Sequence, residues 1–133
     1  MSYSSNPAAR YQELDVLSMS PGERLLLLFR HLESNLRLGN TALLSGDIET
    51  RAARLLKASD IIGELLGSLD EEQGGELAVR LAALYSWMLA EIPTITSPAD
   101  SERLSRLVGM IADLRTAWTT VVESALAATA ERE

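Results

Sequence analysis

Three carboxylates, Glu71, Glu72 and Glu76, surround a glycine pair at Gly74 and Gly75. Two acids at a suitable separation can divide general acid and base work between them. Acids at the start of a helix also complement the positive end of its dipole, and an apolar-periodic segment follows directly, which favours that simpler role. The glycine pair lacks the lysine and the Ser/Thr that complete a phosphate-binding loop. His31 is the only histidine, falls away from the apolar stripe of its own segment, and is an exposed imidazole without a partner to give it a role. No Glu-x-x-His pair occurs, so the di-metal carboxylate site of some helix bundles lacks its imidazoles. With no cysteine, thiolate ligands, thiol nucleophiles and disulfides are excluded together. The expectation is a protein that is not an enzyme and has no catalytic residues, metal or cofactor.

Positioning any functional group falls to the surrounding elements, and these read as four amphipathic helices behind a leader. Ser20, Pro21 and Glu23 form a capping-box start. Leu25, Leu28, Phe29, Leu32, Leu36 and Leu43 then recur on one face, and GNTALLSGD carries stop signals that predict an end near Leu44. Asp47 caps a second helix with the stripe Ile48, Ala52, Leu55, Ile62, Leu66 and Leu69, closed by the turn LDEEQGG. After Gly75 a third helix presents Leu77, Leu81, Leu84, Tyr85, Met88 and Ile92, until Pro93 removes a backbone donor. TITSPAD reads as a loop. Ser97, Pro98 and Asp100 open the longest helix, with Leu104, Leu107, Ile111, Leu114, Trp118, Val122 and Ala125 in its stripe. Nothing alternates with a period of two, so no sheet is expected. Four long helices on short connections predict an all-α fold, an antiparallel four-helix bundle. Its single domain covers 20–130, and 1–19 forms an N-terminal leader or lid that can add a small extra helix.

A chain of 133 residues suits one domain with a real core. Its hydrophobic and charged fractions, 47% and 23%, are those of an ordinary globular protein rather than a disordered one. A net charge of -7 with the twelve basic residues scattered offers no positive track for a phosphate backbone, so nucleic acid is not an expected partner. MSYSSNPAARYQELD contains no apolar h-region, and the longest uninterrupted apolar run is Leu25 to Phe29. Neither membrane insertion nor secretion is expected. The absence of cysteine fits a reducing cytoplasm.

Apolar residues exceed what four single stripes require. Leu27 and Leu38 point almost opposite the core stripe of the first helix, with Leu26 and Leu44 on further faces. On the second helix Ala58, Ile61 and Leu65 are spaced i, i+3, i+7 beside the main stripe. The third adds Val79, Ala83 and Trp87, and the fourth Val108, Ala112 and Ala117. A bundle helix touches two neighbours, so a wide apolar arc can account for Ile61 and Leu65. The other reading is an open face that receives an amphipathic helix through anchors at i, i+3, i+4 and i+7. Leu27 and Leu38 are harder to bury within four helices and call for cover by the leader or a partner.

These residues, in their order and spacing, resemble the flagellar export chaperones that bind flagellin, the FliS family, over nearly the whole chain. RYQELDVLSMSPGERLLLLF is similar to the family's Tyr-Gln leader, Ser/Thr-Pro turn and Leu-rich helix, here Tyr11, Gln12, Val16, Ser20, Pro21, Leu28 and Phe29. LLKASDIIGELLGSLD resembles its Ala-x-x-Ile-Ile-x-x-Leu segment through Ala58, Ile61, Ile62 and Leu65. GGELAVRLAALYSWM matches its Gly-Gly-Glu and Leu-Tyr-x-x-Met run, and LRTAW, Leu114 to Trp118, its Leu-Arg-x-Ala-Trp. The chain departs from the family where Arg30 and His31 follow Phe29 in place of Asp-Gly or Asn-Gly, and where Pro93 interrupts the end of the third helix.

The resemblance implies a cytoplasmic bundle that holds the C-terminal segment of newly made flagellin and keeps it from polymerising before export. Such clients are disordered when free, so apolar anchors must offset their ordering entropy. It also implies Tyr11, with Val16, as lid residues and Ala58, Ile61 and Leu65 as groove residues. Spacing adds Leu27, Leu38 and Trp87 as candidate partner-binding positions. Rival expectations are a diverged paralogue that sequesters another flagellar export or regulatory protein, and a structural bundle whose extra faces make a homodimer. A chaperone should be monomeric or weakly dimeric alone.

Overall fold

The computed structural model describes residues 19–132, and every regular element among them is helical. Helix α1 spans Pro21–Ser45, α2 Ile48–Gly67, α3 Glu71–Glu91 and α4 Ser101–Arg132, with one-turn 3₁₀ helices at Ile92–Thr94 and Pro98–Asp100. Local chemistry explains each boundary. The Ser20 hydroxyl accepts the Glu23 N–H at 3.2 Å and donates to the Glu23 carboxylate at 3.0 Å, satisfying one of the unpaired amides at the start of α1. α1 stops at Gly46, whose φ of 77° is left-handed and free of cost only for glycine. Asp47 then accepts the Thr50 N–H at 3.1 Å, so the chain reverses and starts α2 within two residues.

A capped turn at 71–74 precedes the helical run that the glycine pair predicts after Gly75, and the two are counted together as α3. Asp70 accepts the N–H groups of Glu72 and Gln73, both at 3.1 Å, and Glu71 and Glu72 occupy the first turn, where their charge complements the dipole. Gly75, at φ 58° and ψ -138°, breaks the helical path, so LDEEQGG holds a capped turn and then the break at the glycine pair. Glu76 pairs with Arg80 at 2.7 Å on an exposed surface. At the far end Pro93 stops α3, and one carboxylate oxygen of Asp100 accepts the amides of Thr96 and Ser97 at 3.1 and 3.2 Å. Those bonds hold the loop into α4.

Cross-helix contacts fix the antiparallel order. Trp118 donates from Nε1 to the Gly22 carbonyl at 3.0 Å, Arg115 bonds to Glu33, and Asn40 meets Ser101 and Ser105 at 2.9 and 3.3 Å. Numbers on α1 rise as those on α4 fall. α1 packs on α2 and α4, and α2 also packs on α3, whereas the backbones of α3 and α4 stand apart. The core holds Leu32, Leu36, Ile62, Leu65, Tyr85, Met88, Leu104 and Ile111, each less than 2% or about 2% exposed. Burying each large side chain contributes about 1.5–3 kcal/mol.

The pattern of burial corrects the sequence reading of α2. Ala58, Ile61 and Leu65 are 0%, 3% and 1% exposed, so the supposed second face belongs to the core, while Ile48, assigned to the core stripe, is 65% exposed. Because α2 packs on two neighbours, its apolar arc is wide and its centre is rotated from the single stripe expected. Leu26 and Val108 are likewise buried, and Leu27 is half-buried. Leu38, Leu44, Val79 and Trp87 remain exposed.

Candidate functional site

The separation of α3 from α4 leaves an apolar groove of about 460 Å³. Its floor is made by Leu25 and Phe29 of α1 and by Leu65 and Leu69 at the end of α2. One wall carries Leu77, Leu81 and Tyr85 of α3, and the other Leu114, Ala117, Trp118 and Val121 of α4. Leu77 and Val121, on opposite walls, are 66% and 53% exposed, so the apolar surface continues from floor to rim. Contiguous exposed apolar surface of this kind marks a binding site on an otherwise charged protein.

Several devices hold the walls in place. Gly74 sits at the groove, where an added Cβ would approach the Ala78 Cβ to 2.7 Å, and the kink at Gly75 sets the direction of the wall that follows. On the opposite side the LRTAW segment splits its duties. Leu114, Ala117 and Trp118 face the groove, while Arg115 reaches back to Glu33 of α1, which also pairs with Arg37 at 2.9 Å. Burial raises the Glu33 carboxyl, but the bonds and charges of Arg115 and Arg37 outweigh it and hold its pKa below the ordinary carboxylate value. The indole N–H of Trp118 is committed to Gly22, so its ring is fixed as part of the wall.

Polar groups at the groove are few. Asp70 uses its carboxylate to cap α3, and the Ser68 hydroxyl donates to the Leu65 carbonyl at 2.8 Å. Tyr85 lies 2% exposed, and burial pushes its hydroxyl up to about 12. The arrangement can bind an apolar surface. Among the described residues no three His, Cys, Asp or Glu side chains gather to hold a metal ion.

Of the partner-binding positions expected from sequence, Leu65 lies at the bottom of this groove. Ala58 and Ile61 are core residues outside its lining, on the rotated arc of α2. Leu27, Leu38 and Trp87 are outside its lining as well, and the structure does not bring them together with it. Tyr11 and Val16 lie outside the described residues. The wall residues Leu77, Leu81, Leu114 and Trp118 were read as core stripes. Their periodicity was visible, but the space between two helices is not encoded in the periodicity of either one.

Comparison with known proteins extends over most of the chain. The family described as flagellar protein FliS matches residues 4–125. A flagellar secretion chaperone FliS of Bacillus subtilis is 30% identical over 119 residues, covering 90% of this chain and 88% of the relative. That of Salmonella typhimurium is 31% identical, covering 80% of this chain and 79% of its own length. The flagellar secretion chaperone FliSB of Pseudomonas aeruginosa is 28% identical, covering 87% and 95%.

Proposed function

The chain belongs to the FliS family, and on that premise we propose that it is a non-enzymatic cytoplasmic chaperone that masks the C-terminal segment of flagellin before export. The observation that carries this reading is the groove between α3 and α4, with its apolar floor and the exposed rim residues Leu77 and Val121. A helix-in-groove mode suits it, since a client disordered when free can fold its apolar face onto preformed walls. The mechanism is occlusion. While the apolar face of the client is buried here it is unavailable for packing against other flagellin copies, and release requires only that the export machinery compete for it. The relatives are named secretion chaperones, which agrees with a groove built for binding.

The test is calorimetric titration of the full chain with a flagellin C-terminal peptide. A one-to-one complex with a negative heat-capacity change is expected. Leu77→Asp and Ala117→Glu each place a charge on the exposed wall and are expected to weaken the complex at least about tenfold, with the helical circular dichroism unchanged. No complex, or one indifferent to both substitutions, overturns the reading. A tight dimer that excludes the peptide would assign the groove to a second copy of the chain, and capture of a different flagellar protein at the groove would assign the paralogue's role.

A further inference from the structure

Helix α3 is anchored unequally along its length. From Tyr85 onward it and the connection that follows send Tyr85, Met88, Ile92 and Ile95 into the core, whereas before Tyr85 its one buried side chain is Ala78. The groove opens along that thinly anchored first half, between Leu77 and Leu81 on α3 and Ala117 and Val121 on α4. Polar ties follow the same gradient. Among the described residues a single polar side-chain link joins α3 to α4, and it lies at the closed end, where Arg103 Nη1 donates to the Glu91 carboxylate at 3.2 Å. Its Nη2 donates to the Thr94 hydroxyl at 2.8 Å, and Nε faces a carboxylate oxygen of Asp100 at 3.6 Å. The other oxygen of Asp100 holds the amides of Thr96 and Ser97. One guanidinium thus spans the end of α3, the connection and the start of α4, a reach that a planar fork has and a single ammonium lacks.

From this we infer that Arg103 is a positioning residue for the groove: it fixes the pivot about which the first half of α3 stands off α4, and so sets the width of the mouth from the closed end. The inference rests on the proposed helix-in-groove function and adds to it the residue that keeps the two walls at a fixed separation. The lever is long. Leu77 lies about 21 Å from Glu91 along the helix, so 10° of rotation at the pivot moves the rim by about 4 Å. A preformed groove binds without the cost of ordering its own walls. Loosening the pivot therefore lowers affinity even though Arg103 is not among the residues that line the groove. The side chains of Arg103 and Glu91 are 38% and 31% exposed, and pairs this open to water contribute little to stability. The effect on groove geometry is thereby separable from an effect on folding.

The experiment measures the mouth directly. The chain has no cysteine, so a pair of introduced cysteines takes spin labels without competition. Val79→Cys with Thr120→Cys spans the mouth from exposed positions outside the lining, and Ser34→Cys with Thr120→Cys reports on α1 against α4 as the control. In double electron–electron resonance on the free full chain, Arg103→Gln is expected to shift or broaden the mouth distance by about 4 Å, the rim movement of a 10° rotation, and to leave the control distance unchanged. Arg103→Lys keeps the charge but not the fork and is expected to behave like Arg103→Gln. Glu91→Gln, which neutralises one partner only, is expected to move the mouth in the same sense by less, and it carries the test if the Arg103 variants fail to fold. Titrated with a flagellin C-terminal peptide, Arg103→Gln is expected to bind at least about threefold more weakly than the wild type. An unchanged mouth distance, an equal change in the control pair, or full peptide affinity despite an altered mouth overturns the inference. Failure of the underlying reading looks different, since the wild type would then not bind the peptide while the distances still report on Arg103.

Discussion

Glu33 does more for this molecule than its sequence context announces. It lies on α1 between Leu32 and Ser34, its side chain 12% exposed, and it joins Arg37 one turn away to Arg115 on α4. Its pKa is lowered on folding, so the stability it supplies is present above the unfolded carboxyl value, near 4.5, and is lost as pH falls through the lower folded value. Glu33→Gln is therefore expected to cost about 1–3 kcal/mol at neutral pH. The cost should shrink as the pH of denaturant melts is lowered below the ordinary carboxylate range. A pH-independent difference would reject the electrostatic account. No local pattern identifies this pair, because its members are 82 residues apart. Arg115 stood out only through the likeness of LRTAW to a family motif, whereas the exposure of His31 followed from helical spacing alone.

At the scale of the element, glycines separate what a helix tolerates from what it requires. Gly63 sits within α2 with nothing near the position of an added Cβ, so Gly63→Ala should stabilise the fold by about 0.5–1 kcal/mol. Gly75 occupies φ 58° and ψ -138°, a region closed to side chains, and Gly75→Ala should cost about 1–3 kcal/mol. Thermal melts of the two variants are expected to move in opposite directions, and an unchanged or raised melting temperature for Gly75→Ala would show that the kink in α3 is dispensable. Helix starts at Ser20, Asp47 and Ser97 were legible because a cap and its amide lie within three residues of one another. The break at Gly75 was legible from the glycine pair, and the main run of α3 follows it, but the capped turn before it at 71–74 was not. The cap at Asp70 is what the structure adds, since its two amide partners give that turn a helical start of its own. The face of α2 was misjudged for a related reason, since periodicity gives the width of an apolar arc but not the number of neighbours it must serve.

Over the whole molecule, the all-α class and the order of its four helices could be read from the chain, and the opening between α3 and α4 could not. Leu77 and Leu114 have the same spacing and residue type as true core positions such as Leu32 and Leu104. They differ in what stands opposite, which depends on how α3 settles on α2. Of the positions that the family likeness marks, Ala58 and Ile61 are interior and Leu65 lies at the groove floor. No helix among the described residues is long and apolar enough to cross a membrane. Because the backbone of α3 packs mainly on α2, its amides should be the first of the bundle to trade hydrogen for deuterium, ahead of those around Leu32 and Leu36, whose helix is flanked on two sides. On the proposed helix-in-groove reading, an occupant gives α3 a further support. Exchange-coupled mass spectrometry should then record slower uptake along that one wall, so the chaperone carries its own gauge of whether it is loaded.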